Sequence, residues 1–202
     1  MLHITALQSD PESYLSETEH AVRHLFSAID FYENLLVGVT PPSQAANMDQ
    51  VTRYLELAEK YFGYSFSEST LCGSILQVAF MGVFLFSKNS EIPAHYTGLV
   101  KPDNRKAVPF CIGRVVHDIP IGLIVYAGRN QFNHWGDETF DFPTTQVFRV
   151  LWRAYYENPF FDMAYEMNYP ARTTKANYLV INELCWRTYE QYVTDMRAMV
   201  CV

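Results

Sequence analysis

A nearly unbroken apolar stretch from Ile75 to Phe86, interrupted only by Gln77, most constrains how this chain can fold. Drawn as a helix, it is apolar on almost every side, which is typical of a central helix packed against several neighbours. The stretch is shorter than the roughly 20 residues that span a bilayer. The sequence therefore predicts a core helix over residues 67–88, no membrane association, and a cytoplasmic protein.

Apolar residues recur at helical spacing in five other segments, which predicts helices over residues 11–37, 43–62, 118–134, 144–156 and 174–199. Asp10 is the expected N-cap of the helix over residues 11–37, and Asp118 is the expected N-cap of the helix over residues 118–134. Gly63 is expected to end the helix over residues 43–62. Residues 89–117 are rich in proline and glycine. We expect one all-α domain over residues 1–202, a helical bundle with a long loop or short β insertion around residues 89–117.

Composition narrows the function classes further. The net charge is −7, which argues against a protein that coats nucleic acid by overall electrostatics. Residues 1–60 carry three basic and nine acidic side chains, whereas residues 101–129 carry five basic and two acidic ones. The four cysteines lack the paired spacing of a zinc or disulfide framework, so we expect buried reduced thiols and no bound metal or other cofactor.

The basic segment leads into the most informative motif, Arg129 followed by Asn130 and, after three further residues, by His134. This motif at the end of an apolar helix resembles the signature of the HEPN superfamily. The resemblance implies an α-helical bundle, a metal-independent RNA endonuclease with Arg129 and His134 catalytic and Asn130 supporting, and a homodimer. It also implies a toxin or phage-defence effector restrained by an antitoxin or other regulatory protein.

The residue types suit RNA cleavage without a metal ion. An imidazole can accept the proton of a 2′-hydroxyl as that oxygen attacks the phosphate, and a guanidinium can hold the phosphate through two hydrogen bonds. Arg105, Lys106, Arg114, His117 and Trp135 are secondary candidates for substrate contacts, because they flank the motif or belong to the basic segment.

Helical geometry makes the motif testable. At about 100° per residue, Arg129 and His134 lie about 140° apart around a straight helix, whereas Asn130 and His134 share a face. Either the helix ends or bends within the motif, or two subunits bracket the phosphate with one motif each.

Other interpretations stay open. Arg129 and His134 could merely cap a helix in a non-catalytic binding or assembly module. Glu17, His20 and His24 could belong to a metal-dependent helical bundle, although such sites need a second Glu-x-x-His, which the chain lacks. His117 with Asp118 could form a catalytic pair. An aromatic group could stack bases or fill a core, namely Tyr155, Tyr156, Phe160, Phe161, Tyr165 and Tyr169.

Overall fold

The computed structural model describes residues 10–36, 48–134, 140–155 and 176–201. The helices are α1 (Pro11–Leu36), α2 (Met48–Phe86), α3 (Ile121–Asn133), α4 (Phe142–Tyr155), α5 (Ala176–Tyr178) and α6 (Tyr189–Val200). Two short strands, β1 (Val115–Val116) and β2 (Ile119–Pro120), pair antiparallel. The predicted all-α architecture with a short β insertion is confirmed.

Helix α1 begins as predicted and packs antiparallel to α2. The Asp10 carboxylate accepts hydrogen bonds from the backbone N–H and the hydroxyl of Ser13, at 2.9 and 2.7 Å. Near this end the Tyr14 hydroxyl donates to the Val78 carbonyl, late in α2, over 2.7 Å. Near the other end, the rings of Tyr32 and Tyr64 lie 5.8 Å apart.

Helix α2 is one helix, so the predicted break at Gly63 is wrong. Gly63 is exposed and in open space, and the contact of Tyr64 with α1 supports the helix just beyond it. A glycine inside a helix costs only about 1 kcal/mol, which tertiary packing can offset.

The continuation of α2 also lengthens its apolar part. Phe66–Phe86 contains 21 residues and is long and apolar enough to cross a membrane by length and composition alone, a test that a soluble protein's core helix also passes. Buried residues make up 39% of its apolar window. Ile75, Leu76 and Val83 lie fully within the hydrophobic core, as predicted, whereas Met81, Phe84 and Leu85 are exposed, so the expected packing on several sides is confirmed only for part of this segment.

A tight hairpin precedes α3, so this helix starts at Ile121 and not at Asp118 as predicted. His117 and Asp118 have φ values of 48° and 63° and form the two-residue turn between β1 and β2. Such turns need positive φ at both central residues, which Asp tolerates better than most side chains. Asp118 is therefore a turn residue, and the N-cap of α3 is Pro120.

The start of α3 lies against the preceding loop. The Gly122 N–H donates to the Ile112 carbonyl over 3.1 Å, and the Phe110 carbonyl lies where a side chain at position 122 would begin. Every residue from Ile121 to Gly128 is buried.

The carboxyl-terminal part is two segments, where the sequence predicted one helix. A π-helical turn, Leu179–Glu183, follows α5, and Cys185 then adopts a left-handed φ of 52°. Thr188 starts α6 with a capping box. All four cysteines are free, but only Cys72 and Cys111 are buried, so the expectation of burial fails for the other two.

The Gly122→Ala substitution should lower the free energy of unfolding by roughly 2–3 kcal/mol, because its methyl group would overlap two backbone carbonyls. Gly63→Ala is the matched control, with nothing within 4 Å of the added carbon. It should raise stability by about 0.5–1 kcal/mol. Urea denaturation of both variants tests this, and equal midpoints would contradict the placement of both glycines.

The stability of the fold should fall as the pH rises from about 10 to about 12. Burial raises the pKa of Tyr14 from 10.0 to about 12. Between these values the unfolded tyrosine has lost its proton while the folded one retains it, so rising pH favours unfolding. Tyr14→Phe should flatten this dependence, as measured by denaturation at a series of alkaline pH values. An unchanged slope in Tyr14→Phe would contradict the burial of this hydroxyl.

Candidate active site

The Arg129–His134 motif lies where α3 ends. The helix closes at Asn133, and His134 leaves helical geometry with φ −116° and ψ 27° while its N–H still donates to the Asn130 carbonyl over 2.9 Å. Of the two arrangements that the spacing allowed, the structure has the first, in which the helix ends within the motif. Arg129 and Asn130 are half-buried and His134 is exposed.

Arg129 is held against α2 by uncharged groups. Its Nε donates to the Gln77 side-chain oxygen over 3.0 Å, and its Nη1 donates to the Asn130 side-chain oxygen over 3.2 Å. Its guanidinium carbon lies 4.5 Å from the centre of the Phe80 ring, a cation–π contact. Two of the five N–H donors are used in these bonds, and both acceptors are neutral amide oxygens.

Asn130 connects the arginine to the start of α4. Its side-chain nitrogen lies 3.5 Å from an oxygen of Asp141 and 3.4 Å from the Thr144 hydroxyl. Asp141 is the N-cap of α4, because it accepts the Thr144 N–H over 3.1 Å. The same carboxylate accepts the Tyr126 hydroxyl over 2.5 Å. Asn130 thus links α3 to the start of α4.

Tyr126 completes this network from the buried part of α3. Burial, and then the adjacent Asp141 carboxylate, raise the pKa of Tyr126 above its ordinary value. The phenol therefore remains a hydrogen-bond donor at neutral pH and compensates part of the negative charge of Asp141.

These residues surround a cleft of about 560 Å³ between α2, α3, the loop before β1 and the start of α4. This volume is within the roughly 300–1,000 Å³ of ligand-binding clefts. One wall is aromatic, and Lys106, Arg129 and His134 supply basic side chains. The lining residues are Phe80, Phe84, Lys106, Tyr126, Arg129, Asn130, His134, Phe140 and Asp141.

Three other secondary candidates that the structure describes, Arg105, Arg114 and His117, are not among the lining residues. Arg105 is exposed. Arg114 binds Asp195 at 2.9 Å and the Leu184 carbonyl at 2.5 Å, so it ties the hairpin to the carboxyl-terminal segment. His117 Nε2 lies 3.6 Å from the buried Glu183 carboxylate. Trp135 and the side chains of the predicted aromatic group lie outside the described residues.

The alternative metal site gains no support. His20 and His24 are exposed on α1 with their Nε2 atoms 3.2 Å apart. Within the described ranges, no group of three or more His, Cys, Asp or Glu side chains is arranged to hold a metal ion.

Sequence reasoning missed Gln77, Phe80, Phe84 and Asp141 as parts of this site. Gln77 had one signal, since it is the single polar residue in the apolar stretch 75–86. Asp141 had another, because an Asp two residues before a Pro is a common helix start. Neither signal indicates that these side chains meet the motif, which depends on contacts distant in sequence.

Comparison of the chain with models of protein families, with curated proteins and with solved structures found no match. The structural argument for function therefore depends on the geometry of this cleft.

Gln77 and Arg129 should show a coupling free energy of about 1 kcal/mol in a double-mutant cycle of Gln77→Leu and Arg129→Ala, because each removes the same half-buried hydrogen bond. Gln146→Leu on α4 is a matched control and should couple to Arg129→Ala by less than about 0.5 kcal/mol. Urea denaturation gives both values. Equal coupling in the two cycles would contradict the bond.

Proposed function

We propose that the chain is a metal-independent RNA endonuclease of the HEPN type, with the cleft as its active site. The observation that carries this proposal is that Arg129 and His134, singled out by the motif, line the same cleft together with Lys106. A phosphate held between them would have a guanidinium, an ammonium group and an imidazole beside it.

In the proposed reaction, His134 accepts the proton of a ribose 2′-hydroxyl, and the 2′ oxygen attacks the adjacent phosphorus. The bond from phosphorus to the 5′ oxygen of the next nucleotide breaks, and that oxygen takes a proton from solvent. The products are a 2′,3′-cyclic phosphate and a 5′-hydroxyl. Arg129 and Lys106 stabilise the negative charge that develops on the phosphate oxygens.

The uncharged partners of Arg129 support this role. Arg114 and Arg197 each bind a carboxylate, Asp195 and Glu12 respectively. Among the described residues, the acceptors of Arg129 are the amides of Gln77 and Asn130. An anion in the cleft would meet this guanidinium beside Lys106, which would give a protein of net charge −7 a local site for a phosphate.

The remaining biological expectations rest on the resemblance. These are a homodimer, a cytoplasmic toxin or phage-defence effector, and control by an antitoxin or other regulatory protein. The spacing of Arg129 and His134 no longer requires a dimer, because α3 ends within the motif and both residues of one chain line the same cleft.

One observation favours a second candidate function, a non-catalytic binding or assembly module. Arg129 bridges α3 to α2 through Gln77 and Phe80, so part of its role is structural whatever the cleft binds. This candidate predicts a stable protein without ribonuclease activity.

The purified protein should cleave RNA in the presence of EDTA, and His134→Ala should lower the rate roughly 10²–10⁴-fold by removing the general base. Arg129→Ala should lower it roughly 10²–10³-fold by removing charge stabilisation. Mass spectrometry of the products should show 2′,3′-cyclic phosphate ends.

His95→Ala and Arg187→Ala are matched controls, since both side chains are exposed and outside the cleft. They should retain full activity. Urea denaturation of His134→Ala beside the wild type separates a loss of activity from a loss of folding. Cleavage that persists in His134→Ala refutes the assigned role, and a folded wild type without activity favours the second candidate.

A further inference from the structure

Phe84 is a large aromatic side chain that the fold leaves half uncovered. It lies two residues from the end of α2 and is 52% exposed, yet it belongs to the lining of the cleft. Its ring is nearly parallel to that of Phe80, with an interplanar angle of 7° and centroids 6.1 Å apart. A flat apolar surface is therefore presented to whatever enters the cleft.

A row of rings connects this surface to the core. Phe110 is fully buried, and its ring stacks on that of Phe80 with the centroids 4.7 Å apart. Phe84 contacts the ring of Phe80 and is the most exposed of the three residues. Phe84 lies one helical turn beyond Phe80 on α2, so its backbone belongs to a helix that is anchored in the core through Phe80 and Phe110. A stacking contact on Phe84 would thus need little rearrangement of the backbone.

The charged groups of the cleft lie beside this row. The Arg129 guanidinium sits over Phe80, the ring adjacent to Phe84, and Lys106 lines the same cleft. A flat apolar surface next to basic side chains matches the two parts of a nucleotide, namely the base and the phosphate.

We infer that the cleft binds an unpaired nucleotide, with its base stacked on Phe84 and its phosphate held by Arg129 and Lys106. This rests on the proposed function and adds the substrate class, which is single-stranded RNA. In a duplex the base faces are covered by neighbouring bases, so Phe84 could not stack. Stacking on a phenyl ring reads no base edge, so the preference for base identity at this position is weak.

The competing explanation is a protein interface. Met81 and Leu85 are also partly exposed, at 37% and 38%, and could form an apolar contact surface with Phe84. Neither of them lines the cleft, whereas Phe84 does, beside three basic side chains. The basic side chains beside Phe84 favour a nucleotide as the ligand, and one outcome of the test below would indicate a protein interface instead.

The test measures binding without cleavage. The ligand is a short single strand in which every 2′-hydroxyl is replaced by hydrogen, so the nucleophile is absent. Fluorescence anisotropy should give a Kd that is roughly tenfold weaker for Phe84→Ala, because one base stack is lost. Phe84→Tyr should bind within about threefold of the wild type, since it keeps an aromatic face.

Phe66→Ala is the matched control, because Phe66 is 65% exposed on the same helix and outside the cleft. It should leave the Kd unchanged. The same strand annealed to its complement should bind more weakly than the single strand, with no difference between wild type and Phe84→Ala.

The inference is overturned if the wild type does not bind the single strand, if Phe84→Ala and Phe66→Ala bind equally, or if single strand and duplex bind alike. It is also overturned if Phe84→Ala changes the oligomeric state in size-exclusion chromatography while leaving the Kd unchanged, which would indicate a protein interface. Cleavage is read separately on unmodified RNA. Binding that depends on Phe84 without any cleavage would refute the nuclease function and retain the ligand class.

Discussion

Helix α3 packs against α2, and every residue from Ile121 to Gly128 is buried. The helices approach closely at Gly128, where an added carbon would lie 2.9 Å from Leu76 of α2 and 2.6 Å from Leu179. Burial of each large aliphatic side chain contributes about 1.5–3 kcal/mol, so this contact fixes both the depth and the rotation of α3. Arg129 is the next residue, and its position at the edge of the core is a consequence.

At that edge the arginine is half-buried, and a guanidinium removed from water needs partners. A carboxylate would stabilise it most, as Asp195 does for Arg114, but would also compensate its charge. Gln77 and Asn130 instead satisfy two donors with neutral oxygens, and Phe80 faces the cation with its ring. The resulting field in the cleft is positive beside Arg129 and Lys106, while the negative charge of Asp141 is engaged by Tyr126 and Thr144.

The sequence predicted those features of the fold that depend on residues close together in the chain. The periodicity of apolar residues located the main helices, and the apolar body before Arg129 correctly placed the motif at a helix end. Predictions from single residues failed where tertiary contacts or turn geometry decided the outcome, as at Gly63, Asp118 and Cys185. The part of the cleft that α2 forms could not be predicted from the sequence for a related reason. Phe84 and Arg129 are brought together by the packing of α2 on α3, which no short window of sequence records.

Arg129 and His134 lie in different structural contexts, so substitutions at the two positions should affect stability differently. Arg129 joins two helices, so a change there alters the packing and the cleft together, whereas His134 is an exposed residue at the end of α3. Since α3 ends within the motif, one chain carries both residues to one cleft. A two-fold assembly would therefore bring two complete pairs near each other and would not need to build one pair from two halves. Any requirement for a dimer would then have a cause other than the completion of this pair.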